Sequence, residues 1–390
     1  MKNCFAFNKV MKNFLTWRFG VVISCGVTMG VVLIFLNHIK KPKKNKKNPD
    51  KKNNKTFPTQ PKRIVTSNQI LELPYPRWKK VGKVKELYFY PLKSGRGKEL
   101  SECLFTECGI AVNNKGVLTL KDRMFLIYNE ETGKFITSRV YPTLILVSLS
   151  AVNESKVKLE AVGMSTLIFD IPEQSATKNY VTCSMWWNEK VKCIDCGDES
   201  AKWISEFLTG TNSGLRVGLS SLDQRNILKG PWEKFTKVYD KITNDDVGLF
   251  SDLSSYMLLT ESSLEELNRK LENPVSSLQL RPNIVVSGSE SFAEDNWEWI
   301  KIGESAVIRN IKPCPRCSMI RVDPDTGKID KEEPTKTLKT FREQIDKEKI
   351  KVDGTAPIMG IYCGLYVSGH VKVNDDVFVH VPQTIRTTQL

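Results

Sequence analysis

Pro313-Cys314-Pro315-Arg316-Cys317, followed by Val322-Asp323-Pro324-Asp325-Thr326-Gly327, is the stretch on which the reading of this chain turns. A strand predicted over residues 305–311 feeds it. Two thiols and a guanidinium are carried on a proline-stiffened turn, and the Asp-rich turn that follows suits the tip of a hairpin. A thiolate binds soft or high-valent metals, and a neighbouring cation favours the charged form of a thiol. The same two thiols would also suit a plain buried core. The segment alone does not decide between these readings.

The chain has 390 residues, enough for two or three domains or one large composite domain. Its apolar share of 40% and charged share of 26% are those of an ordinary folded protein. A net charge of +14 would suggest nucleic acid, but it is confined to one end. Residues 1–63 hold fifteen Lys or Arg and one acid, whereas the remainder holds 43 basic and 43 acidic residues. A neutral globular part leaves no phosphate-tracking footprint, which excludes a nucleic-acid binder. Eight of the ten cysteines lie beyond the N-terminal segment, including the pairs Cys193/Cys196 and Cys314/Cys317. Structural zinc sites usually draw two such pairs from one compact unit, and these are far apart. Nothing in the chain reads as a small secreted disulfide scaffold.

Residues 19–36 form an uncharged apolar run that just reaches the span of a bilayer core, about 18–20 residues. The run is longer than the apolar core of a cleaved signal peptide and is not closed by a small-x-small site. The downstream flank carries Lys40, Lys41, Lys43, Lys44, Lys46 and Lys47, so the positive-inside bias places everything after it in the cytosol. A single N-terminal transmembrane anchor is expected. The Lys-, Asn- and Pro-rich residues 40–63 then form a disordered tether that favours anionic lipid.

The folded part reads mainly as short strands. They are predicted at 84–92, 156–160 and 165–170, with a hairpin of 123–128 and 134–139 around Asn129-Glu130-Glu131-Thr132-Gly133. A helix is expected over 199–208, with Trp203, Ile204, Phe207 and Leu208 on one face. Residues 209–247 read as irregular. A second helix is expected over 262–271, opened by a Ser262/Glu265 capping box. Strands at 284–287 and 305–311, a helix at 334–345 and strands at 365–368 and 377–380 complete the chain. The pattern favours a mainly β fold with some helix (α+β) and a β-barrel-like core.

Nucleotide-binding glycine loops and the hydrolase nucleophile elbow are absent from the sequence. The three histidines, His38, His370 and His380, give little material for histidine-based catalysis. Anion-binding elements do recur at strand ends: Lys93-Ser94-Gly95, Asp122-Arg123, Arg281-Pro282-Asn283, and Arg316 beside Cys317. Lysine and arginine there suit a phosphate, and Asn or backbone amides suit the edge of a heterocycle. Singly, each would more often be a solvated charge. Together with the cysteine turn they point to a phosphorylated organic cofactor holding a metal ligated by Cys317.

From Tyr90-Pro91-Leu92-Lys93-Ser94 onward the chain resembles the mitochondrial amidoxime-reducing-component family of MOSC-domain molybdenum enzymes. The resemblance is carried by Asp122-Arg123, Asp195-Cys196-Gly197-Asp198, Arg281-Pro282-Asn283-Ile284-Val285, Ala293-Glu294-Asp295-Asn296-Trp297, Arg316-Cys317 and the run 322–327. It implies a short basic N-terminus (1–18), the anchor (19–36) and a basic tether (37–76). A MOSC N-terminal β-barrel-like domain (77–200) and a MOSC molybdenum-cofactor domain (201–390) would follow. It further implies Cys317 as the molybdenum ligand, and cofactor contacts from Lys93, Ser94, Arg123, Arg281, Asn283 and Arg316. Ser251, Asp252 and Ser254 would provide a further cofactor-contacting loop. The implied activity is reduction of N-hydroxylated compounds at a molybdenum–molybdopterin centre. Electrons would come from cytochrome b5 and its NADH-dependent reductase, at the outer mitochondrial membrane with the globular part facing the cytosol. Three departures stand out: Ile320-Arg321 where the family commonly has two threonines, Leu253 at a hydroxyl-bearing position, and Pro315 at a serine-like one. Such losses of surrounding hydroxyls weaken metal sites roughly tenfold or more. Two other readings therefore stay open, a cofactor carrier without turnover and a zinc or scaffold protein built on the Cys-x-x-Cys pairs.

Overall fold

The computed structural model describes residues 77–113, 116–173 and 180–381. The anchor expected at residues 19–36 and its tether lie outside the described residues. Among the described residues, no helix is long and apolar enough to cross a membrane.

Val84, Leu87 and Phe89 of the strand Trp78–Phe89 are buried, and their β-branched and aromatic neighbours suit a pleated, half-buried surface. That strand completes a barrel. Ile284–Ser287, Tyr256–Thr260, Ile358–Val367, Ala306–Pro315, Trp299–Ile302, Asp376–His380 and Trp78–Phe89 hydrogen-bond in this order, and Trp78–Phe89 pairs back onto Ile284–Ser287. Closure removes both exposed edges. Two irregularities in the first strand, at Lys80/Gly82 and Val84/Glu86, re-aim it between its partners Asp376–His380 and Ile284–Ser287.

A second sheet runs Val181–Ser184, Lys190–Asp195, Leu215–Ser220, Phe125–Asn129, Phe135–Ile136. Helix Asp198–Thr209 buries Trp203 and Ile204 and spans residues 200 and 201. Smaller sheets are formed by Ser148–Ala151, Lys156–Glu160 and Leu167–Asp170, and by Gly369–Lys372 with Glu102–Thr106, Gly109–Val112 and Leu120–Lys121. One contiguous apolar core joins Phe125, Val217 and Ile204 to Val84, Ile284, Ile300 and Val377.

The mainly β architecture and its barrel agree with the sequence pattern. Some local expectations do not. The stretch read as irregular contains the strand Leu215–Ser220, whose partners lie far away in sequence. The helix at Glu261–Asn268 is not opened by a Ser262/Glu265 box. Thr260 precedes its first turn, and Ser263 and Thr260 hydrogen-bond the buried Glu294 carboxylate instead.

Gly82 sits where the first strand crosses the carbonyl of Ser287, and a Cβ there would lie 1.8 Å from that oxygen. Gly82→Ala is expected to lower stability by about 2–3 kcal/mol in urea unfolding, through overpacking at the barrel closure.

Candidate functional site

The chain turns of 90–95 and 121–125 lie against each other. Lys93 N–H donates to the Phe125 carbonyl (2.7 Å) and Arg123 N–H to the Tyr90 carbonyl (2.6 Å). Asp122, 2% exposed, fastens the pair: one oxygen accepts from the Tyr90 amide at 2.9 Å and the other from the Arg123 guanidinium. Arg281 follows the short helix Ser277–Leu280, and its guanidinium donates to the Gly95 carbonyl at 2.9 Å. Two cations lie over the Tyr90 ring, Arg123 at 4.3 Å and Arg281 at 4.2 Å from its centre. Burial pushes the Tyr90 phenol above its ordinary range and pulls Arg281 down to about 10. Ser94, Arg123 and Arg281 all have positive φ, of 63, 48 and 55°. Side-chain-bearing residues held there store on the order of 1–3 kcal/mol each, which marks a site whose geometry is imposed by its surroundings.

Ser251, Asp252 and Ser254 lie on a loop gripped from behind. Arg225 donates to the carbonyls of Gly248 (3.2 Å) and Ser251 (2.7 Å) while its other nitrogens pair with Glu189, and Trp232 also donates to Glu189. Arg225, Glu189 and Trp232 are all buried. In front, Asp252 accepts from Lys93 Nζ at 2.5 Å and from the Trp186 indole at 2.7 Å. Burial opposes ionisation of Asp252, but the charge and hydrogen bond of Lys93, with Trp186 and Arg139, lower its carboxyl to about 2.

At the cysteine turn the two thiols part company. Cys314 is 2% exposed and accepts from Arg316 Nη1 at 2.9 Å, whereas Cys317 is exposed and begins the turn Ser318–Arg321. Arg316 is buried, its Nη2 donating to the Leu280 carbonyl.

All ten residues singled out in the sequence line one cavity of about 390 Å³: Lys93, Ser94, Arg123, Ser251, Asp252, Ser254, Arg281, Asn283, Arg316 and Cys317. Its walls carry six Lys or Arg side chains against two carboxylates, Asp252 and Asp353. Arg281 Nη2 and Arg316 Nε are buried there with no partner among the described residues. Buried cationic donors left unpaired suit an anion with several acceptor oxygens. Asn283 has a different emphasis from the one expected. Its carboxamide accepts from Met257 N–H (3.2 Å) and Arg123 (3.3 Å) and donates to the Tyr88 carbonyl (3.3 Å), so it chiefly fastens the wall.

Several functional elements carried no local sequence signal: the Arg225–Glu189 clamp, Trp186, and a buried pair in the cavity wall. In that pair Lys312 Nζ meets Asp353 at 2.7 Å, with side chains 2% and 3% exposed, and the Tyr239 hydroxyl donates to the same carboxylate. The Cys-x-x-Cys pairs do not converge. Among the described residues no group of three or more His, Cys, Asp or Glu side chains is placed to hold a metal ion.

The lowered Asp252 carboxyl makes a pH prediction. Its contribution to stability is full above the unfolded carboxylate pKa of about 3.9 and is lost as pH falls through about 2. With the Asp252 side chain 44% exposed, screening reduces this to roughly 1 kcal/mol. Asp252→Asn is expected to remove that part of the acid sensitivity, read as a flatter urea midpoint between about pH 4 and 2.

The chain matches the MOSC N-terminal beta barrel domain over residues 81–211 and the MOSC domain over residues 245–378. It is 33% identical over 299 residues to mitochondrial amidoxime-reducing component 1 of Homo sapiens, covering 77% of this chain and 83% of that protein. Component 2 of Bos taurus is 33% identical over 302 residues, with 77% and 84% covered. Component 1 of Danio rerio is 34% identical over 301 residues, with 77% and 85% covered. With both domains in order and this identity over most of its length, the chain belongs to the mitochondrial amidoxime-reducing component family.

Proposed function

We propose that this chain is a molybdenum-cofactor oxidoreductase that reduces N-hydroxylated compounds, with Cys317 as the protein's ligand to the metal. One observation carries the reading: ten residues from separate parts of the chain converge on a single cation-rich cavity, with two buried guanidinium nitrogens unpaired among the described residues. That chemistry fits a phosphate-bearing pterin. The cofactor, when bound, supplies the two-electron chemistry.

The chain's own residues supply the binding. Arg281 and Arg316 line the cavity as cations, each keeping a buried nitrogen without a partner among the described residues, and Lys93, held by Asp252, adds a fixed charge. Ser251 and Ser254 donate their hydroxyl protons to the carbonyls of Leu253 and Tyr256, so on the cavity wall these hydroxyls serve as acceptors rather than donors. Of the paired cysteines, Cys317 is the accessible one, whereas Cys314 is buried against Arg316. The sequence carries no flavin, haem or iron–sulfur motif, so electrons come from outside. In this reading the donor is cytochrome b5 with its NADH-dependent reductase. Co-anchoring through residues 19–36 in the outer mitochondrial membrane, with the globular part facing the cytosol, raises the donor's effective concentration. The relatives' names, which specify amidoxime reduction and mitochondria, support the substrate class and the organelle.

A second reading, cofactor binding without turnover, is favoured by one feature. Leu253 and Ile320, each 3% exposed, present apolar wall where hydroxyls are common in the family. Full-length protein from a host able to make the cofactor is expected to contain near-stoichiometric molybdenum and pterin. Cys317→Ala should lose the metal while keeping its melting temperature, and Cys314→Ala should keep the metal. Zinc, or neither metal nor pterin, in the wild type would refute the proposal. Reduction of an N-hydroxylated amidine with cytochrome b5 and its reductase separates an enzyme from a carrier.

A further inference from the structure

Cys193, the first cysteine of the Cys-x-x-Cys run, does not face Cys196. Its sulfur lies 2.8 Å from that of Cys183 on the adjacent antiparallel strand, and both thiols are fully buried. In the strand pairing Val181 opposes Cys193 and Cys183 opposes Val191, so the two cysteines are diagonal neighbours on one face of the sheet. Cys196 belongs instead to the main core. Gly218 on the next strand leaves room for the pair, since a Cβ there would lie 3.1 Å from the Cys193 sulfur.

We propose that Cys183 and Cys193 form a reversible dithiol–disulfide couple, a redox modification site separate from the cavity's own Cys317. The oxidant is a peroxide. One thiol is oxidised to a sulfenic acid with release of one water, and the second attacks that sulfur, forming the S–S bond and releasing another. Two electrons and two protons leave the thiols, and hydrogen peroxide becomes two waters. A small-molecule dithiol reverses the step by exchange. The sulfurs already face each other at 2.8 Å, so reaching the bonded separation of about 2.05 Å brings them less than about 1 Å closer.

Hydrogen bonding with Cys183, followed by burial, raises the Cys193 thiol and favours its protonated form, and full burial keeps both thiols out of reach of an oxidant while their strands are shut. Reaction therefore follows local opening of Val181–Ser184, a short strand at the end of its sheet order. The location ties the couple to the cavity. Cys183 and Cys193 pack against Phe250 and Met185. The next residues along are Ser251-Asp252 and Trp186, the two sides of the Trp186–Asp252 hydrogen bond.

The test treats full-length protein with hydrogen peroxide under non-reducing conditions and maps tryptic peptides by mass spectrometry. The expected product links the peptide of residues 179–190 to that of 193–202, lighter by two hydrogen atoms and separated by a dithiol reductant. Cys196 shares the second peptide, so Cys196→Ser should retain the link while Cys183→Ser and Cys193→Ser lose it. A link through Cys196, or oxidation confined to the exposed Cys317 with 183 and 193 still open to alkylation after unfolding, would overturn the proposal. Neither result depends on molybdenum content.

Discussion

Removing a guanidinium from water costs several kcal/mol unless carboxylates or well-placed acceptors replace the lost hydration. Arg123 meets this condition through Asp122 and Asn283. Arg281 and Arg316 meet it only in part, each keeping a buried nitrogen without a partner among the described residues. The cavity is therefore a preformed demand for negative charge. Much of the surrounding structure holds that demand in place: the Tyr90 ring under Arg123 and Arg281, the Asp122 fastener and the Arg225 clamp behind the 251–254 loop.

That arrangement also explains why strain collects here. Ser94, Arg123 and Arg281 occupy left-handed backbone although none is glycine. Each lies at a turn where a strand or short helix ends and the chain must fold back so that its side chain enters the cavity. The seven-strand closure supplies the rigidity. Arg281 and Asn283 lead into the strand Ile284–Ser287, Cys314 and Arg316 lie at the end of Ala306–Pro315, and both strands belong to the same closed ring. A closed sheet fixes the separation of such strand ends far better than loops could.

The barrel class, most strands and the charged residues at strand ends (Lys93, Arg123, Arg281 and Arg316) were legible in the sequence because they depend on short-range features: alternating hydrophobics, and glycine and proline punctuation. Ser251, Asp252 and Ser254 came from the family resemblance alone. Leu215–Ser220 was missed although the turn-rich run Gly210-Thr211-Asn212-Ser213-Gly214 precedes it, because Gly218 interrupts its alternation and its pairing with Lys190–Asp195 and Phe125–Asn129 is long-range. The clamp of Glu189 and Arg225 was hidden for the same reason, as was the buried Lys312–Asp353 pair. Cys193 shows the opposite failure. Its spacing from Cys196 pointed along the chain, whereas the strand register directs its sulfur across to Cys183. The family resemblance supplied the role of Cys317, and the structure adds a physical distinction between it and Cys314 that spacing could not give: one thiol is exposed and the other is buried against a guanidinium.

The central claim is that the cavity seats a phosphate-bearing molybdenum cofactor with the metal on Cys317. Crystals of protein carrying its cofactor, measured with X-rays above and below the molybdenum absorption edge, test it most directly. The account predicts one anomalous peak within bonding distance of the Cys317 sulfur, with phosphate density against Arg281 and Arg316. A peak at Cys314, or a metal bound outside this cavity, would contradict it.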